Sequence, residues 1–277
     1  MSIFVFGVVL FAAALHAIWN AVVKSGSDKL LTTVLVTTWA TLIAAVCLPL
    51  LPVPSRESWP FIGVSTLLQV GYYILVARTY HLADMSQAYP LMRGTAPLLV
   101  AIISVVLLSG HLSAAAWTGI AIICAGILAM ATSGHSKNKA GLALALLNAG
   151  VIASYTLVDG LGVRLSGTPA AYTLWIFLLT GIPLIVWVLM ARRAEFQNYL
   201  AANWHLGMIG GAGTIISYGL ALWAMTLAPV AVIAALRETS ILFGTAISAL
   251  ILKEHVTRTR VIAVCIIAAG AAILRFA

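Results

Sequence analysis

Long apolar runs, interrupted only by short clusters of charge, proline and turn-forming residues, make up nearly the whole chain. A helix needs roughly 20 residues to cross a hydrocarbon core about 30 Å thick. Cutting the sequence at its polar interruptions gives ten runs near that length: 3–23, 31–51, 58–80, 86–108, 113–132, 140–160, 170–190, 204–226, 230–252 and 258–276. The gaps are too short for an extramembrane domain, and the longest, from Arg192 to Trp204, has room for a surface turn. The pattern predicts an all-α integral membrane protein with ten transmembrane helices.

The runs also repeat. Sliding the sequence until Arg93 meets Arg237 brings Thr95, Leu98, Ser104, His111 and Gly126 onto Thr239, Leu242, Ser248, His255 and Gly270. A second alignment sets Thr32, Thr37 and Trp39 on Thr168, Thr173 and Trp175, with Trp19 against Tyr155. Arginine and tryptophan are rare letters here, so their pairing weighs more than matches among apolar residues. The expected division is a five-helix half over 1–135 and another over 136–277. Five spans is an odd number, so the second half starts on the opposite side of the membrane and the repeats are inverted. That arrangement is characteristic of carriers, whose halves rock about a central site.

Composition agrees with this reading and excludes others. Hydrophobic residues are 62% and charged residues 8% of the chain, against about 25% charged in a soluble domain. A soluble globule, a disordered chain and a disulfide-stapled scaffold are all excluded. Cys47, Cys124 and Cys265 lie inside apolar runs, with neither metal-ligand spacing nor an evident disulfide mate. The formal charge of +8 sits mostly in the gaps between runs, where it faces lipid headgroups and sets topology, so nucleic acid is not an expected partner. The run from Ile3 lacks a charged leader and a small-residue cleavage site and reads as a retained helix.

Ionisable residues at membrane depth cost roughly 2.5–3.5 kcal/mol each on insertion scales, so each needs a partner or a function. Arg93 lies about eight residues into the fourth run, and Arg237 and Glu238 lie about as far into the ninth, roughly 10–12 Å from the helix starts. In one reading the three line a central cavity, an arginine holding a carboxylate or phosphonate and Glu238 an amine or a proton. In the other they form a structural ion pair between the two runs. Pro90 and Pro97, with Gly94 between them, are expected to kink the fourth run and free carbonyls near Arg93. His16, Trp19 and Asn20 share one face of the first run, which either looks into the cavity or forms an interhelical hydrogen-bond cluster. His16 is also a candidate carrier of a coupling proton.

The matching face of the sixth run offers Asn148, Tyr155 and Asp159, and the third run offers Gln69 and Tyr73. Tyr80 and His81 fit an aromatic belt. Trp175, Tyr218 and Trp223 complete the aromatic candidates. Gly119 and Gly126 align with Ala263 and Gly270 and read as a stripe for close packing between the fifth and tenth runs.

The stretches His16-Ala-Ile-Trp-Asn20, Tyr89-Pro-Leu-Met-Arg-Gly-Thr-Ala-Pro97 and Leu252-Lys-Glu-His255, together with the five-plus-five repeat, resemble the EamA branch of the drug/metabolite transporter superfamily. The resemblance covers nearly the whole chain. It departs at Lys253-Glu254, where that family usually carries Gly-Glu, and at Ser109-Gly110-His111, which lacks the acid. The resemblance implies a secondary transporter, often an exporter of amino acids and related metabolites. It does not define a ligand, because substrates vary across the family.

No HExxH, GxSxG, Walker A or Cys-x-x-Cys pattern occurs, so no catalytic residue, metal site or cofactor is expected. Lys24, Lys29, Lys137, Lys139 and Lys253 all fall at run ends or in gaps. The expectation is a multi-pass protein of the plasma (inner) membrane that exports a small zwitterion by alternating access, as a monomer or homodimer. The coupling partner is a proton or a counter-substrate. The predicted substrate site comprises Arg93, Trp19, Asn20, His16, Arg237, Glu238, Tyr89, Tyr155, Tyr73 and Trp175. The alternatives are an exchanger of anions such as sugar phosphates or phosphonates, and a membrane sensor or scaffold that transports nothing.

Orientation divides the two lines of reasoning. Arg56, Arg164 and Arg275 fall on the side of the termini, whereas Lys24, Lys29, Arg78, Lys137, Lys139, Arg192, Arg193, Lys253, Arg258 and Arg260 fall on the other. The charge bias puts the termini outside, and the resemblance puts them in the cytoplasm.

Overall fold

The computed structural model describes residues 1–108, 110–131, 138–251, 253 and 256–277. Its helices are α1 (Ile3–Ser25), α2 (Lys29–Cys47), α3 (Trp59–Leu82), α4 (Met85–Val106), α5 (Ala114–Ala131), α6 (Lys139–Ser166), α7 (Pro169–Ala191), α8 (Arg193–Met225), α9 (Val230–Arg237), α10 (Ser240–Leu250) and α11 (Arg258–Leu274). There is no strand among the described residues. Nine stretches of these are long and apolar enough to cross a bilayer, the ninth being α9 and α10 together over Val230–Leu250. At 17 residues, α11 is shorter than all nine. The chain is therefore a multi-pass membrane protein. Many large apolar side chains, including Phe4, Leu50, Met190 and Leu250, remain on its outer surface for lipid to cover.

Local chemistry sets the helix ends. Asp28 accepts from the amides of Leu30 and Leu31 at the start of α2, and Asn138 from those of Ala140 and Gly141 at the start of α6, satisfying donors that the first turn leaves orphaned. Gly167, at φ 68°, ends α6 in the left-handed region that a side chain would disfavour.

Packing carries the repeat into three dimensions. α1 lies along α8 as α3 lies along α6, and α1 meets α10 as α4 meets α6. The pairs α2 with α7 and α5 with α11 join corresponding helices of the two sequence copies. In the second pair the backbones come very close. A Cβ on Gly270 would stand 2.9 Å from the Gly119 carbonyl oxygen, so the glycine stripe is a packing surface between these helices. Gly207 and Gly211 of α8 likewise press on Trp39 and its neighbours in α2. The Met1 ammonium donates to the Ala277 carbonyl at 2.8 Å, which brings both termini to one face.

The structure departs from the sequence reading in four places. The segment after Arg192 is the first part of α8 and not a surface turn. A kink at Asn203 (φ −124°, ψ 16°), whose amide donates to the Tyr199 carbonyl at 3.1 Å in competition with the helical ladder, separates this part from the one that runs to Met225, which begins where the eighth run is expected to begin. α6 runs to Ser166, beyond the expected end at 160. α4 is continuous despite Pro90 and Pro97, both buried among neighbouring helices. The break falls in the ninth span instead, between α9 and α10. Of the Leu252–His255 stretch only Lys253 is described; Ser109 and Lys137 also lie outside the described residues.

Candidate functional site

The break between α9 and α10 has a simple hydrogen-bond origin. The amides of Glu238, Thr239, Ile241 and Leu242 each bond the carbonyl three residues back, at 2.9–3.0 Å. This is one turn of tighter 3₁₀ winding inside an otherwise α-helical span, a feature that often marks a hinge. It turns the Glu238 carboxylate toward α4. Arg93 answers from α4, its Nε donating to Glu238 Oε2 at 2.9 Å, with side-chain exposures of 12% and 7%. The carbonyl of Arg93 has no helical donor, because the residue four positions on is Pro97.

Beside the pair lies a small cavity of about 20 Å³ lined by Arg93, Pro97, Tyr155, Thr156, Arg237 and Glu238, room for about one water. Arg93 Nη2 is buried here without a hydrogen-bond partner among the described residues. Two guanidinium groups and one carboxylate therefore share one small cavity.

A second buried acid stands next to this cavity. Asp159 of α6 accepts from the Tyr172 hydroxyl at 3.1 Å through Oδ1. Its Oδ2 accepts from the Tyr218 hydroxyl and, at 3.5 Å, from the Gln69 amide. The guanidinium of Arg237 lies over the Tyr218 ring, 4.9 Å from its centroid. A polar track thus runs from Asp159 through Tyr218 to Arg237, the residue preceding Glu238.

Several of the sequence-predicted residues converge here. Tyr155 lines the cavity, and Tyr89 and His16 are within electrostatic reach of Arg93. The cluster in α1 closes largely on itself: Trp19 Nε1 donates to His16 Nδ1 at 3.3 Å, and the Asn20 amide to the His16 carbonyl at 2.7 Å. Tyr73 stacks edge-on against Tyr72 at 5.4 Å, and Tyr72 against Tyr155 at 6.0 Å, so Tyr73 joins through a chain of rings. Trp175 packs on Trp59 at 4.9 Å near the start of α7, and Trp223 on Phe4 at 6.1 Å; the structure does not bring these rings to the Arg93 pair. Tyr80 packs against the buried cluster that includes Ala88 and Met92 of α4.

Tyr172, Tyr72 and the full role of Asp159 and Tyr218 escaped sequence reasoning. The sequence places Asp159 on the candidate face of the sixth run, and α6 continues seven residues past it, which sets it well inside the helix.

A larger cavity of about 450 Å³ opens between α4, α6 and α9 and is lined by residues that include Ser104, His111, Leu161, Arg164, Thr226 and Val230. Arg164 donates to the Met225 and Ala228 carbonyls at 2.8 and 2.9 Å. It thereby caps the end of α8, where the helix dipole favours a cation.

Comparison with known proteins adds three findings. The sequence pattern of the EamA-like transporter family matches residues 3–132 and again 139–276. A solved crystal structure whose description names no activity superposes with a TM-score of 0.76 over 98% of both chains at 18% identity, a likeness of fold. No curated protein matches the sequence.

Proposed function

The chain belongs to the EamA-like transporter family, and from that premise we propose that it is a secondary transporter that exports a small zwitterion, such as an amino acid, around the Arg93–Glu238 pair. The observation that carries this reading is the pair itself: a buried guanidinium and a buried carboxylate 2.9 Å apart beside a cavity. A zwitterion presents the same two charges. Its carboxylate can take both edges of the Arg93 guanidinium while its ammonium takes Glu238, replacing an internal ion pair with two external ones. Such an exchange avoids leaving either charge buried and alone, which would cost about 3–5 kcal/mol.

A cavity of about 20 Å³ is too small for an amino acid, so loading requires α4 and the α9–α10 span to part. Ten spans in two inverted halves, 1–135 and 136–277, supply that motion in this reading. Arg93 belongs to one half and Glu238 to the other, so a substrate that holds both is linked to the rocking of the halves. The protein acts in the plasma (inner) membrane, as a monomer or homodimer, on a gradient or by exchange.

Two arginines against one glutamate also favour a second substrate class, anions such as phosphonates or sugar phosphates. Flux into proteoliposomes from a panel of amino acids, amines, phosphonates and sugar phosphates separates the readings. Zwitterion flux lost in both Arg93→Ala and Glu238→Gln supports the first. Anion flux that survives Glu238→Gln supports the second. A wild-type protein that moves none of them points to a sensor or scaffold.

A further inference from the structure

We propose that Asp159 is a reversible proton-binding site, linked through Tyr218 and Arg237 to the cavity at Glu238. The linkage to transport rests on the function proposed above; the binding of the proton does not.

Asp159 is fully buried and sits seven residues before the end of α6, about 10 Å along the helix. Glu238 is neutralised by Arg93, but Asp159 takes part in none of the ion pairs among the described residues. Its hydrogen-bond partners are neutral: Gln69 from α3, Tyr172 from α7 and Tyr218 from α8. Ser65, which accepts from the Gln69 amide at 3.0 Å, completes the α3 side. Arg237 of α9 is the cation that approaches, and it does so across the Tyr218 ring. A carboxylate in this setting keeps its charge only through donated hydrogen bonds, and a proton from solvent relieves it of that charge.

The two protonation states make different demands on Tyr218. An ionised Asp159 accepts from the phenol, which draws electron density onto the ring that Arg237 covers and holds the guanidinium in place. A protonated Asp159 has an O–H of its own to donate, so the phenol at that oxygen must accept or turn away. The attraction on Arg237 falls with the charge. Arg237 is then free to turn to Glu238, which lines the same cavity. A proton on Asp159 and an ammonium on Glu238 thereby exclude one another, which is the requirement for proton–substrate antiport.

The test is an infrared pH titration of the purified protein in lipid nanodiscs, with the proton as the only probe. The carbonyl band of a protonated carboxylic acid is expected to grow as pH falls, to persist in Glu238→Gln and to be lost in Asp159→Asn. Tyr218→Phe keeps the acid and is expected to displace the midpoint, which also serves if Asp159→Asn does not fold. A wild-type titration matched by Asp159→Asn, a band from Asp159 that ignores pH, or an unmoved midpoint in Tyr218→Phe overturns the proposal. In proteoliposomes, accumulation of a transported amino acid driven by a pH gradient is expected to be lost in Asp159→Asn. A wild type that transports nothing while the infrared band titrates as described would sink the transport reading and leave the proton site standing.

Discussion

Arg93 and Glu238 stand 145 positions apart in sequence and 2.9 Å apart in space. The pair breaks the symmetry of the repeat that built it. The counterpart of Arg93 is Arg237, but the counterpart of Glu238 is Gly94, so the acid exists on one side only. Gly94 has a packing role of its own: a Cβ there would meet the Leu128 side chain at 2.8 Å. The two copies thus carry two arginines and one carboxylate at these matched positions.

Removing either member strips the other buried charge of its direct partner. Arg93→Met or Glu238→Leu is expected to destabilise the protein by about 3–5 kcal/mol, and the double variant to regain most of the loss. Thermal melting of the four proteins in detergent checks the cycle. A double variant no more stable than the singles would show that the residues are not energetically coupled. All three variants are expected to abolish flux, because restoring the fold does not restore the charges.

The contact between α5 and α11 separates glycines by what surrounds them. Gly270→Ala puts a methyl group 2.9 Å from the Gly119 carbonyl oxygen and 3.0 Å from the Ile123 nitrogen, backbone atoms that cannot step aside. The expected cost is about 1–3 kcal/mol. Gly244 in α10 has open space around it, and Gly244→Ala is expected to be neutral or to stabilise by up to about 1 kcal/mol through helix propensity. Melting temperatures that fail to separate the two variants would contradict the close approach.

Asp28 lies outside the spans, and hydrogen bonds hold its carboxyl below the ordinary value of 3.8: chiefly the Leu31 amide, then Arg192 and the Leu30 amide, against partial burial. Arg192 reaches it at 3.2 Å. A depressed folded-state value means the unfolded chain binds the proton first, so this stabilisation is complete above about the ordinary aspartate value and is lost as pH falls below it. Asp28→Ala is expected to cost about 1 kcal/mol at neutral pH as a lost cap, and to flatten the acid limb of stability below 3.8. Chemical denaturation across that range is the measurement; parallel curves for wild type and variant would refute the assignment.

Arg164 spans the gap between Met225 and Ala228 with two donors. Arg164→Lys keeps the charge but has no rigid fork to reach both carbonyls. Arg164→Met and Arg164→Lys are therefore both expected to lose stability, by about 1.5–3 kcal/mol for the apolar variant and less for lysine. Full rescue by lysine would reduce the role of Arg164 to charge alone.

Much of this protein is legible without coordinates. Hydrocarbon thickness dictates run length, so the apolar pattern determines a membrane protein of many spans. Arg93, Arg237 and Glu238 announce themselves because charge at that depth is expensive, and the Gly119–Gly270 stripe because only small residues let helices touch. Helix ends are weaker signals: nothing local stops α6 at residue 160, so the sequence puts Asp159 on the candidate face without showing that it lies seven residues inside the helix. Prolines mark where a ladder loses donors, yet neighbouring helices kept α4 whole, while the break fell at Glu238 and Thr239, where no proline stands. Which buried groups meet was a tertiary decision throughout. Glu238 with Arg93, and Asp159 with Tyr172 and Tyr218, are partners drawn from separate helices. Periodicity fixes the face on which each side chain lies, but only the packed bundle fixes what lies opposite.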